Sequence, residues 1–305
     1  MSFQANVAFV QDYKRTVEML LQQQGGRLAA CVVNETFIGK AGKAVEQIGP
    51  VSPTKNLSRH ADTPLISTPQ DARWIYPNDY DWADLIDDED KLRMIIDPTS
   101  PYAMNAANAM RRAQDEEILI AFYAASKTGE NGTTSTSFPG GNIVAATFGS
   151  GASASGISVA KLREAKRLML KAGVDIDNDP LFCAITSYEH NYLLNEAQAI
   201  NLDYNDRPVL VEGRIRDFMG FNFVNVEYSD TVSYPNASVV MVNGANQQLV
   251  PCWAKSGMML GTWNDISISV DRRADKRNST QVYATGTFGG TRLQENKVVQ
   301  LICAR

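Results

Sequence analysis

"RHADTPLISTPQDARWIYPNDYDWADLIDDEDKLRMIIDPTSPYAMN" occupies Arg59–Asn105. A Pro- and Thr-rich run with little to bury leads into aromatics, Trp74, Tyr76 and Trp82, and a dense set of carboxylates. Those are Asp79, Asp81, Asp84, Asp87, Asp88, Glu89 and Asp90. Three readings compete: an acid/base site, a metal loop, or a surface that meets another copy of the chain. A catalytic pair needs one carboxyl with a raised pKa beside one that stays ionised. "DDED" at 87–90 reads instead as a solvated helix start, where Asp84, Asp87 and Asp88 complement the dipole of "KLRMII". Calcium-loop spacing, DxDxDG, is absent.

The flanks decide among these readings. Upstream, residues 31–75 place Gly39, Gly42, Gly49, Pro50, Pro53, Pro64 and Pro69 between short β-prone pieces, "CVVNETFIG" and "TPLIST". So long a stretch with so few core formers is unusual inside a compact domain. It predicts a protruding two-stranded loop whose partner lies outside its own subunit. Residues 6–24 have helical spacing, and Gly25-Gly26 should end that helix. Downstream, Ser100 and Pro101 suit the N-cap and first position of a long helix, 101–127, stopped by Gly129. That helix would run about 40 Å, and its alanines predict close packing against a sheet.

Beyond a small-residue loop at 128–157, a helix is expected at 158–172, then a strand running into a helix in "DPLFCAITSYEHNYLLNEAQ". "FMGFNFVNVEY" and "ASVVMVN" read as two further strands, making 158–250 an α/β piece of its own. The last third is β-rich: "ISISVD", "QVYATGTFGG" and "KVVQLICA". The long helix and these strands would build one domain with 158–250 inserted into it.

With 44% hydrophobic and 21% charged residues, the chain can bury a real core. A net charge of −5 argues against a protein that grips nucleic acid through many phosphates. Cys31, Cys183, Cys252 and Cys303 lie far apart, which fits buried free thiols in a reducing compartment, with neither a zinc site nor a disulfide scaffold. No signal peptide and no membrane span are expected.

The remaining motifs fail on inspection. "DIDNDPLFCAIT" from Asp175 has Pro180 and Thr186 where a calcium loop needs Gly and Glu. "GASASGIS" has Ile157 where a phosphate loop needs Lys. His60 and His190 have no nucleophile context, and "RRADKR" at 272–277 suits a solvated β-turn. The residues therefore point to no catalytic, cofactor or metal site. They leave open a metabolic enzyme with an inserted α/β domain.

The order of parts, and the stretches "NDRPVLVEG", "WAKSGMMLGTWNDI" and "GTFGGTRLQENKVV" together with the opening one, resemble the major capsid proteins of tailed double-stranded DNA bacteriophages. The resemblance implies an α+β capsid fold; a phage tail or decoration protein, a structural relative in a different role, is the rival reading beside the enzyme. Its parts would be an N-terminal arm at 1–30, an extended β-hairpin loop at 31–80, a peripheral domain at 81–157 and 251–305 with a spine helix at 101–127, and an axial domain at 158–250. It implies hexamers and pentamers of the chain in an icosahedral shell, assembled in the host bacterial cytoplasm around DNA that is held without sequence-specific contacts. A separate scaffolding protein, a portal and, as an option, a decoration protein would be partners. Assembly contacts are expected at Ile38, Lys40, Lys43, Leu57, Arg59, Leu65 and Ile66. Trp74, Tyr76 and Trp82 would anchor the loop to a neighbour or to the domain base. Some members join subunits by Lys–Asn isopeptide bonds. Lys40, Lys43 and Lys55 lie in the loop, but solubility accounts for lysines there, and no crosslink is expected. A compact chain of 33.5 kDa exposes about 12,700 Å²; a capsid subunit should exceed that clearly.

Overall fold

The computed structural model of the chain describes residues 22–55, 59, 62–63, 65–87, 99–151, 153–196, 210–211, 214–243 and 247–305. Residues 6–21 of the helix expected at 6–24 lie outside them, and 22–24 are irregular rather than helical; the helix expected at "KLRMII" lies wholly outside them.

The long helix α1 runs Thr99–Tyr123, about 37 Å at 1.5 Å per residue. It ends four residues earlier than expected. Ser126–Thr128 is a strand, β5, which pairs with β3 (Gln70–Ile75) and β6 (Thr134–Thr136). Ser126 and Thr128 are buried in that sheet, so tertiary pairing overrides the helical propensity of the stretch. The same sheet takes in β2 (Gly42–Ile48), antiparallel to β3.

One face of α1 lies on a second sheet, of order β1-β14-β15-β4. Its strands are Val33–Thr36, Met258–Arg273, Ser279–Arg292 and Asn78–Ile86 respectively. The approach is close because β15 carries Gly289-Gly290. A Cβ on Gly290 would sit 2.7 Å from the Ala121 Cβ and 2.9 Å from the Glu117 carbonyl oxygen. Met110, Leu119, Phe122, Phe288 and Trp253 fill the core between helix and sheet.

A third sheet has the order β11-β12-β8-β13-β16-β7. From the middle of the chain come β8 (Leu181–Ile185), β11 (Asp217–Phe218) and β12 (Phe221–Asn225). Helix α2 (Val159–Lys171), capped by Ser158, packs on it through Leu162, Ala165 and Met169. The other strands are β7 (Ile143–Val144), β13 (Gln247–Ala254) and β16 (Val298–Ala304). The 158–250 segment therefore does not close its own sheet: strands from before and after it complete the layer. Helix α3 (Ser187–Asn195) follows β8 as expected, and β9 (Leu210–Val211) pairs with β10 (Arg214–Ile215).

"ASVVMVN" is a correction. It belongs to a helix, α4 (Pro235–Met241), not a strand. The valines favoured a strand. Pro235 in the first turn and the Glu116 carboxylate of α1, which accepts from the amides of Asn236 (2.6 Å) and Ala237 (2.9 Å), start a helix instead.

Candidate assembly surface

β2 and β3 form the ladder of a hairpin that closes at Ile48↔Gln70, with the Gly49 amide donating to the Pro69 carbonyl at 2.8 Å. Its base is part of the molecule's core: Ala44 and Ile75 pack with Met259 and Leu293. Among the described residues, several apolar side chains of this loop are left uncovered. Leu65 is 100% exposed and Ile48 72%, and at the loop's root Ile38 is 99% exposed. Val51 and Ile66 are exposed too. Lys40 and Arg59 face solvent, and Lys43 pairs with Glu46 at 2.5 Å. Leu57 lies outside the described residues. The chain exposes 18,486 Å² in all, against about 12,700 Å² for a compact chain of its mass.

The aromatic anchors act within the chain. The Trp74 indole donates to the Gly129 carbonyl at 2.8 Å, and the Tyr76 hydroxyl sits 3.5 Å from the Gly132 carbonyl oxygen. Trp82 packs against the core under α1. Between them, Arg73 makes a two-pronged ion pair with Glu295 (3.1 and 2.7 Å), with both side chains largely buried. This pair ties the hairpin's base to the turn before β16, and sequence spacing gave no sign of it.

Two carboxylates of β4, and Asp87 just after it, are held by hydroxyls of β15. Asp79 accepts from Thr287 (2.7 Å), Asp81 from Tyr283 (2.6 Å) and Asp87 from Ser279 (2.7 Å). The Tyr283 hydroxyl lowers the Asp81 carboxyl below its ordinary value. All three groups face solvent. Asp88, Glu89 and Asp90 lie outside the described residues.

The other polar clusters are structural ties. Asp175 accepts from the Asp177 amide and the Asn178 side chain, as an Asp-rich turn does. Asp179 accepts from the Ser256 hydroxyl, and Lys297 donates to that same oxygen at 2.5 Å and lies 3.6 Å from Asp179. His190 lines a cavity of about 280 Å³ with Gln23, Arg27, Ser187 and Glu227; His60 lies outside the described residues. Lys161 stands four residues beyond Ile157 and donates to the carbonyls of Ser155, Gly156 and Ile302 (2.7–3.0 Å), pinning the "GASASG" loop to β16. "RRADKR" is a solvated turn closed by an Arg273–Asp275 pair at 2.7 Å. Among the described residues no group of His, Cys, Asp or Glu side chains could hold a metal ion, and no helix is long and apolar enough to cross a membrane.

All four cysteines are free and buried. Burial pushes the Cys31 thiol up to about 11 and Cys303 up to about 12. These thiols are packing groups. Replacing all four by Ala should cost about 1 kcal/mol per site and leave particle formation intact. A folded variant that forms no particles, seen by electron microscopy, would contradict this.

Glu189 is fully buried in the capping box that starts α3. One oxygen accepts from the Thr186 amide and hydroxyl, and the other has no partner. Burial raises its carboxyl above the ordinary 4.5. Its contribution to stability is therefore complete below that pH and is lost as pH rises through the folded value. Glu189→Gln should melt higher than the parent at pH 7, with the gap closing towards pH 4. Parallel melting curves at all pH values would refute this.

The whole chain from residue 5 to 305 matches the family model of the phage capsid protein. The chain belongs to the phage capsid protein family. Its fold is that of solved tailed-phage capsids. It is similar to the capsid of cyanophage P-SCSP1u, at 15% identity over 98% of this chain and 94% of that one, with a TM-score of 0.74. The cyanophage Pam1 capsid gives 11% identity over 98% and 97% of the chains and a TM-score of 0.72. The head of Helicobacter pylori bacteriophage KHP40 gives 11% identity over 99% and 98%, and 0.70. No curated protein matches it in sequence. Family and fold are those of a structural head-shell protein, and the enzyme and tail- or decoration-protein readings are not favoured.

Proposed function

We propose that this capsid protein builds an icosahedral head from hexamers and pentamers of itself, assembled in the bacterial cytoplasm with a separate scaffolding protein and a portal, and optionally a decoration protein. In this reading the shell encloses double-stranded DNA without gripping it, which a net charge of −5 suits: an acidic wall does not bind phosphates. The observation that carries the reading is the surplus of surface. About 5,800 Å² beyond the compact expectation is accessible in a lone chain of 18,486 Å², several times a standard interface.

The loop is the principal gripping part. Ile38, Ile48, Leu65 and Ile66 supply apolar area that a neighbour would cover, with Lys40 and Arg59 at its rim. Residues 1–30 are the arm, 31–80 the extended loop, and 158–250 the axial insert, its sheet completed by strands on either side. Trp74, Tyr76 and Trp82 serve the base of the loop. The test is the state of the purified protein: capsomers and shells support the reading, and a discrete small oligomer at every concentration removes it.

A further inference from the structure

Three consecutive carboxylates in the middle of α1 are buried, and each holds a different part of the chain. Glu116 receives α4, as described. Glu117 accepts from Asn78 (2.7 Å) and from the Tyr80 hydroxyl (2.5 Å) on β4. Asp115, wholly inaccessible to solvent, receives three successive backbone amides: Gly26 (2.8 Å), Arg27 (3.1 Å) and Leu28 (2.9 Å).

The segment on Asp115 is held on its other side as well. One turn back along α1, Arg112 donates to the Gln22 side chain (2.9 Å) and the Gln23 carbonyl (3.0 Å). Between these two grips the chain lies flush on the helix backbone. A Cβ on Gly25 would stand 2.2 Å from the Arg112 nitrogen and 2.4 Å from the Arg111 carbonyl carbon. Gly26 turns with φ +81°, which glycine alone adopts without cost. Arg27 then reaches the Asn225 carbonyl at 2.7 Å, and Leu28 enters the core. Gly25-Gly26, expected from the sequence to end a helix, here let the chain lie on α1. They are the only residue type that lets one backbone cross another at this distance.

We propose that Gln22–Leu28 and the Arg112/Asp115 face of α1 form a lock that fixes the point and direction at which the N-terminal arm leaves the subunit. The lock is separable from the folding of the rest of the chain. Among the described residues its grips fall on Gln22–Leu28 alone, whereas Glu116 and Glu117 hold parts of the main body. Its role in the shell rests on the arm assigned above: an arm released from this point would reach the wrong neighbour.

The experiment compares wild type, Asp115→Asn and Gly25→Ala under limited trypsin digestion, with mass spectrometry following cleavage after Arg27 against cleavage after Lys55 and Arg59 in the loop. Cleavage of a transiently opened site tracks the population of the open form. Asp115→Asn replaces a charged acceptor of three amides by a neutral group that can face only some of them. The Arg27 rate should rise about tenfold or more, with the loop rates unchanged and circular dichroism unaltered. Gly25→Ala should do the same without touching any charge. An unchanged ratio of Arg27 to loop cleavage in both variants overturns the lock. So does an equal rise at all sites, which would make the contact part of the global fold. Should Asp115→Asn fail to fold, Arg112→Gln and Gly25→Ala carry the same ratio test. The digestion reads a lone subunit, so it stands even if wild type forms no shells; if wild type does form them, a folded Asp115→Asn subunit should form aberrant ones or none.

Discussion

Cutting residues 50–68 out of the chain and bridging the gap with a short Gly/Ser link leaves a soluble, cooperatively folding subunit that makes no shells. The boundaries follow from the hairpin. A wider cut from residue 40 would remove β2, and with it Ala44, which is buried against Ile75, Met259 and Leu293. Beyond Gly49 and Pro69 the described side chains are exposed, so they add little to the stability of a lone chain. They carry Leu65 and Ile66, whose burial should stabilise a contact by about 1.5–3 kcal/mol each when complete. Repeated at every loop in a closed shell, that loss is large enough to end assembly. Circular dichroism melting and electron microscopy read the two halves of the result. A deletion that fails to fold, or that still forms shells, contradicts the assignment of the loop.

Arg292→Met should be the most damaging single substitution. Its guanidinium is wholly buried, yet no acid on α1 serves it. It donates instead to the carbonyls of Ala121 (3.3 Å), Phe122 (2.6 Å) and Ala124 at the C-terminal end of α1, and to Thr136 (3.2 Å). These are the carbonyls a helix end leaves without partners, and a cation there also complements the dipole. Glu295, 3.7 Å from the Arg292 Nε, balances part of the charge while it grips Arg73. Removing the cation strands several buried acceptors at once and should cost about 3–5 kcal/mol. Melting should fall by about 10 °C, or the protein should collect in the insoluble fraction. Arg292→Lys should recover only part of the loss, since an ammonium lacks the planar fork. A drop of no more than about 2 °C for the methionine variant would show that water replaces the guanidinium.

Much of this architecture was legible because it is written in local signals. The alanine-rich helix, the Gly/Pro-punctuated loop and the alternating strands of the last third all carry their own period or punctuation. What was missed depended on distant partners. β13 contains Pro251, which weighs against a strand, yet it pairs with both β8 and β16. α4 looked like a strand until Glu116, 120 positions away, supplied its start. The end of α1 was read too late because the strand role of Ser126–Thr128 comes from β3 and β6. The exposed loop residues were readable as scattered apolar side chains in a region without a core. The ties beneath them, Arg73 with Glu295 and Asp115 with the Gly26–Leu28 amides, join positions far apart in sequence, and no spacing rule connects them.

The central claim is that the surplus surface of this capsid protein exists to be covered by copies of itself. Negative-stain electron microscopy of the purified full-length chain, taken across a concentration series, tests it most directly. Closed shells or ring-shaped capsomers that become more abundant with concentration are the predicted result. A uniform population of monomers or small closed oligomers at every concentration would contradict it.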